Sequence, residues 1–197
     1  NSYLPRTNYV PDCDMAEYRR RTPYCPWDVK EDTITQQKVI TRRVTDYYRL
    51  AFRNMIGSSS ERTLTSAIIP KGLAHINVVQ SIVPREYEQV AHINVVVGLA
   101  ADNKYARLLD LAAVCFSIVG DFYIKTMGRT HLFESDLANL PYLSDQRLRL
   151  RVLLLSCLTE AYADLWHDAW HDDFAHDGWA KSDSRLPQGS FRELTPD

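Results

Sequence analysis

The sequence predicts an α+β domain in which an antiparallel sheet packs on two long helices, with an extended N-terminal arm and an acidic C-terminal tail. Three observations predict it. Residues 47–71 alternate apolar and polar side chains around a Gly-Ser-Ser-Ser turn, the period of two expected of a half-buried hairpin. The sextet AHINVV occurs at residues 74–79 and again at 91–96, as neighbouring strands of one sheet would. From residue 102 onward the apolar spacing changes to that of helices, over two stretches. We divide the chain into an extended arm with a short helix (1–46), a core (47–142), and a long helix with an acidic tail (143–197), all in one compact domain.

The bulk properties narrow the choice of function. Of 197 residues, 45% are hydrophobic, enough for a sizeable core, and 24% are charged, ordinary for a globular domain. No apolar run approaches the ~20 residues that cross a bilayer, so no membrane partner is expected. The chain opens on Asn-Ser with neither Met nor a signal-peptide pattern, and reads as a segment of a longer polypeptide. Its net charge of −2 conceals a gradient. Residues 1–75 carry 12 Lys and Arg against 8 Asp and Glu, whereas residues 157–197 carry 3 against 9. A polyanion would therefore meet the first half and avoid the tail. Cys13, Cys25, Cys115 and Cys157 show no paired spacing and read as reduced thiols of a cytoplasmic protein.

Taken in order, residues 1–30 are punctuated by Pro5, Pro11, Pro23 and Pro26 and read as an extended arm anchored by Tyr24 and Trp27. Asp32 or Thr33 is placed to cap a short helix running to about Arg43. In the first hairpin strand Tyr48, Leu50, Phe52 and Ile56 share one face, and Arg49, Arg53 and Met55 the other. Gly57 through Ser60 make the turn. The return strand, residues 63–69, is β-branched and apolar, and Pro70 ends it because it has no N–H to give. In the repeated sextets His75 with Asn77, and His92 with Asn94, fall on one strand face. That face reads as solvated, although Asn side chains can also read base edges.

Asp102 is placed to cap an apolar helix ending near Met127 and Gly128, where glycine supplies a left-handed cap. Residues 129–142 form a loop. Ser144 then starts a helix over about 145–171, with Leu148, Val152, Leu155, Leu158, Tyr162 and Leu165 as its apolar stripe and Arg147, Arg149 and Arg151 exposed. Residues 173–197 are the acidic, Trp-bearing tail.

No self-contained catalytic apparatus is legible. Asn139-Leu140-Pro141-Tyr142 lacks the second proline of the N-P-P-Y signature, and no glycine-rich phosphate loop or G-x-S-x-G is present. His167, His171 and His176, with Asp168, Asp172 and Asp173, are the densest set of ligand-type residues. On a helix His167 and His171 would share a face, but no third ligand follows in a metalloenzyme spacing, so no metal site is expected. A metal-dependent enzyme built on these histidines is one alternative. A protein-interaction module using the acidic tail and Trp166, Trp170 and Trp179 is the other.

Two patterns carry a resemblance. The first is Tyr48-Arg49-Leu50-Ala51-Phe52-Arg53, then Glu61-Arg62-Thr63, then Ala67-Ile68-Ile69-Pro70. The second runs from Phe116 through Asp121-Phe122, Lys125, Gly128 and Thr130-His131-Leu132 to Leu140-Pro141. In this order they resemble the C-terminal target-recognition region, the TaqI-like specificity domain, of large DNA adenine-N6 methyltransferases of type II restriction–modification and phage defence. The resemblance implies a domain that docks on double-stranded DNA and selects a site. A catalytic methyltransferase domain of the same polypeptide, with its S-adenosylmethionine, would lie outside this chain, which itself holds no cofactor and no catalytic residue. Duplex recognition needs cations on phosphates and a few forked donors at base edges. The residues expected to supply them are Arg49, Arg53, Asn54, Ser59, Ser60, Arg62, Lys71, Lys125, Arg129 and His131.

Overall fold

The computed structural model describes residues 12–25, 29–31, 38–40, 42–57, 59–83, 105–179, 181–186 and 191. Within the arm the chain is helical where an extended course was expected. Helix α1 (Met15–Arg21) is capped by Asp14, whose carboxylate accepts from the Glu17 N–H. Glu17 in its first turn and three arginines in its last suit the helix dipole. The basic run is not free: Arg20 and Arg21 pair with Glu17, and Arg19 with Asp46. Tyr24 is half-exposed beneath the Arg43 guanidinium, while Trp27 lies outside the described residues. The helix expected to reach Arg43 is absent over its last part. Strands β1 (Val29–Glu31) and β2 (Lys38–Ile40) instead form a small antiparallel ribbon.

The main sheet has three antiparallel strands, β3 (Arg49–Arg53) in the centre between β4 (Ser66–Ile69) and β5 (Val79–Ile82). Leu50 stands opposite Ile68 on one side and Ile82 on the other. The hairpin and its apolar face are as expected, with Tyr48, Leu50, Phe52 and Ile56 buried. The opposite face is solvated only toward the loop, at Arg53 and Met55, and the segment after β4 folds over its other end. Arg49 is 2% exposed. It donates to the Leu73 carbonyl and, at 3.2 Å, to Ser81 Oγ. The first AHINVV copy becomes a strand only at Val79; before that, Val79 N donates to Ile76 O across a turn. His75 reaches back to Ser81 Oγ rather than lining a sheet face. The second copy, with His92 and Asn94, and the expected Asp102 cap lie outside the described residues.

The first long helix is in fact two. α2 (Ala106–Phe116) ends at Ser117, which is extended, and α3 (Ile118–Thr126) starts immediately after it. Ser117 Oγ donates to the Val114 carbonyl at 2.7 Å and accepts from Gly120 N at 2.9 Å, closing one helix and capping the next. Gly120 lies against the end of α2, where a Cβ would stand 2.3 Å from the Val114 carbonyl oxygen. The α3 end is as expected: Gly128 follows it at φ 64, a left-handed residue past the last turn.

The second long helix is also interrupted. After the short α4 (Glu134–Leu137), α5 (Gln146–Ser156) is capped by Asp145 rather than Ser144. It stops at Cys157, and the chain resumes through a 3₁₀ turn at Glu160–Tyr162 into α6 (Ala163–Ala169). A 3₁₀ turn at Asp172–His176 follows. The apolar stripe that suggested one helix fails at the break, where Leu155 is 65% and Leu158 73% exposed. Among the described residues of the tail, Phe174 and Phe191 are each 1% exposed and belong to the core.

Helix α2 lies between the sheet and α5, and supplies Leu108, Leu109, Ala112 and Cys115 to the core. All four cysteines are free, and burial pushes the Cys115 and Cys157 thiols up to about 12. Across the α2–α5 contact runs a buried ion pair. Arg149 Nε and Nη2 donate to the two oxygens of Asp110 at 2.6 and 2.8 Å. Tyr142 Oη donates to the same carboxylate, and Arg149 also donates to Ser144 Oγ. Arg149 is therefore inside, contrary to the exposed position expected. Arg151 is partly covered and pairs with Asp177, leaving Arg147 as the exposed member of the three.

Two stability outcomes follow from this packing. Gly120→Ala forces backbone apart at the α2–α3 corner and is expected to cost about 1–3 kcal/mol by denaturant titration. Arg149→Met leaves Asp110 charged without its partner and is expected to cost about 3–5 kcal/mol, with the double variant that also replaces Asp110 by Leu recovering much of the loss.

Candidate nucleic-acid interface

Backbone pairing joins the two segments that carry the resemblance. Past β3 the chain continues through Asn54 and Met55, and there it meets residues 130–132 rather than solvent. Ile56 N donates to Thr130 O at 3.0 Å and Leu132 N to Asn54 O at 2.8 Å, so that Met55 and His131 stand opposite each other. A side chain adds a second link, since Lys125 Nζ donates to the Ser60 carbonyl at 3.1 Å.

The third link is a buried carboxylate. Asp121, in the first turn of α3, accepts from both Thr63 N and Leu64 N at 2.7 Å. The same Oδ1 lies 3.6 Å from Arg62 Nε. Arg62 also donates to the Phe116 carbonyl at 3.1 Å, which spans the α2–α3 corner. Asp136 repeats the arrangement on the other loop. Its Oδ2 accepts from Phe133 N at 2.9 Å, and its Oδ1 lies 3.3 Å from Arg129 Nε. Both carboxylates are buried, yet the arginines they hold remain 42% and 52% exposed.

Eight of the ten expected residues thus gather at one end of the sheet: Arg53, Asn54, Ser59, Ser60, Arg62, Lys125, Arg129 and His131. Arg53 is exposed and, among the described residues, its guanidinium makes no hydrogen bond or ion pair. His131 is exposed and stacks on Phe133, ring centres 6.4 Å apart. Asn54 Oδ1 is buried and, among the described residues, has no hydrogen-bond partner. The other two residues are elsewhere. The register that sets Arg49 opposite Ile69 puts Arg49 and Lys71 at the far end of the hairpin from its loop. Arg49 is enclosed, and burial lowers its pKa, opposed by Tyr18. Lys71 pairs with Asp164 at 3.0 Å and lies over the Tyr48 ring. Neither is placed to touch a ligand bound at the loops.

This end of the domain combines four cations, Arg53, Arg62, Lys125 and Arg129, with two exposed carboxylates, Glu61 and Glu134. An arginine held through Nε by a buried carboxylate keeps nitrogens of its fork for an outside acceptor, and arrives already ordered. The arrangement suits a ligand with several anionic or hydrogen-bond-accepting groups. Sequence reasoning did not foresee the roles of Asp121 and Asp136. An aspartate in a helical first turn is ordinary, and nothing local shows which distant arginine it will meet.

The histidines do not converge. α6 ends at Ala169, so His167 and His171 are not on one helix; His171 instead caps the following 3₁₀ turn, accepting from Asp173 N. Among the described residues no group of three or more His, Cys, Asp or Glu is arranged to hold a metal ion. The tryptophans are internal contacts: Trp166 is 5% exposed, Trp170 packs on it, and Trp179 packs edge-on against Phe191.

Asp121→Ala removes the acceptor for two buried amides, and is expected to lower stability by about 1–3 kcal/mol for each. Asp121→Asn keeps an oxygen for those amides and is expected to cost less, which equilibrium unfolding of the two variants would compare. No protein-family model, curated protein or solved structure matches the chain.

Proposed function

We propose that the chain is the sequence-recognition domain of a DNA adenine-N6 methyltransferase of the type II restriction–modification or phage-defence kind. It holds duplex DNA for a catalytic domain, with its S-adenosylmethionine, in another part of the polypeptide. The observation that carries the reading is the joining of two segments 54 or more residues apart into one cation-bearing end, through Arg62 on Phe116, Lys125 on Ser60 and Met55 opposite His131. These are the segments in which the resemblance lies. The reading places the protein in the cytoplasm, with DNA; among the described residues no helix is long and apolar enough to cross a membrane. Arg62 and Arg129, exposed and held from behind, suit forked contacts to base edges. Arg53 and Lys125 suit phosphates.

The test uses the full-length protein and a selected target duplex, with the fold of each variant checked by thermal melting. Lys125→Ala is expected to weaken binding to every sequence and to flatten its salt dependence by about one counterion. Arg62→Gln or Arg129→Gln is expected to cost about 1–3 kcal/mol at the target and to relax preference at one base pair. Lys71→Ala is expected to change neither. The reading is wrong if removing the charges of Arg53, Arg62, Lys125 and Arg129 leaves affinity and site choice as they were in folded protein.

A further inference from the structure

Helix α3 is built inside out for a surface helix. Ile118, Val119 and Phe122 are 78%, 74% and 66% exposed, and Tyr123 is 38% exposed. Its inward face consists of Gly120, Asp121 and Ile124. At 3.6 residues per turn, Ile118 and Phe122 lie along one outer stripe with Val119 beside it, and half-buried Lys125 borders the stripe with its ammonium on the Ser60 carbonyl. The one carboxylate of the helix, Asp121, is turned away beneath Thr63 and Leu64. Each end of the stripe has a cation: Arg62, bonded to the Phe116 carbonyl just before α3, and Lys125 in its last turn. Ile118 and Lys125 are separated by about 10 Å of helix, more than the roughly 6 Å width of a minor groove.

Apolar side chains between two cations, with no exposed acid on the helix, match the surface of a duplex better than that of a neutral protein. The walls of the minor groove are sugar rings bordered by phosphates, and apolar wedges can enter between its base steps. The stripe is also continuous with the end that carries Arg129 and His131, since Lys125 and Arg62 belong to both. We propose, building on the DNA-recognition reading, that this face of α3 meets the minor groove. Phe122, supported by Ile118, wedges against a base step there, Lys125 holds a flanking phosphate, and Arg62 reads the neighbouring base edge. Loss of stacking at that step is offset by burial of the Phe122 ring, so the wedge favours flexible pyrimidine–purine steps.

The test uses this chain by itself, so that unstacking is not credited to the proposed catalytic domain. Random-sequence and alternating T-A duplexes would be bound at low ionic strength, with affinity read by fluorescence anisotropy and unstacking by permanganate oxidation of thymines. Phe122 is exposed, so its variants are expected to fold. The wild-type chain is expected to raise thymine reactivity several-fold. Phe122→Ala should return it to the level of free duplex while changing affinity by no more than about threefold, since the phosphate contacts supply most of the binding. Phe122→Leu, which keeps an apolar wedge, should retain it. Binding without enhanced reactivity, or reactivity that survives Phe122→Ala, overturns the wedge and leaves the recognition reading standing. Failure of the wild-type chain to bind either duplex overturns the wedge, while the recognition reading is decided by the full-length protein as above. Self-association that Phe122→Ala abolishes, with unstacking unchanged, would assign the stripe to protein contact and overturn the proposal.

Discussion

The arrangement of the cation-bearing end depends on one buried carboxylate. Asp121 brings a formal charge into the protein, where desolvation is unfavourable unless the charge is met by donors. Two backbone amides, Thr63 and Leu64, meet it from the hairpin, and Arg62 meets it from the loop. Its position in the first turn of α3 adds the favourable end of the helix dipole. One side chain therefore fixes the return arm of the hairpin, the entry of α3 and the orientation of an arginine. Asp136 does the same on a smaller scale for Phe133 and Arg129.

This anchoring separates the cations of the domain into two kinds. Arg49 and Arg149 have their forks absorbed by the interior, and their removal would be felt as lost stability. Arg62 and Arg129 are held by their inner edge and remain exposed. A long side chain ordered before binding loses less conformational entropy when a ligand arrives, which favours selectivity over mere attraction. Arg53, without a partner among the described residues, lacks that pre-ordering and suits a contact tolerant of position.

The corner between α2 and α3 gives this end its shape. Without the extended residue at Ser117 and the close backbone approach at Gly120, the two helices would be one rod, and Asp121 would be carried away from the hairpin. The turn has a second consequence. It presents to the outside the apolar residues that a continuous helix would have shared with the core, so Ile118, Val119 and Phe122 are exposed beside the cations.

The sequence by itself determined the α+β class, the hairpin and its buried face, and the glycine stop after α3. Each is written in local chemistry: alternation, a turn cluster, a left-handed glycine. It also pointed to both cation-bearing segments. Only the tertiary structure decided that Arg49 and Lys71 leave this group while Arg62 and Lys125 remain, because register places residues at one end of a hairpin or the other. The breaks at Ser117 and Cys157 were likewise hidden, since apolar spacing runs through both. Helix propensity is a matter of tenths of a kcal/mol per residue, and packing overrides it. The burial of Arg149 and the pairing of Arg62 with Asp121 join residues 39 and 59 positions apart or more, and no local pattern carries such a distance.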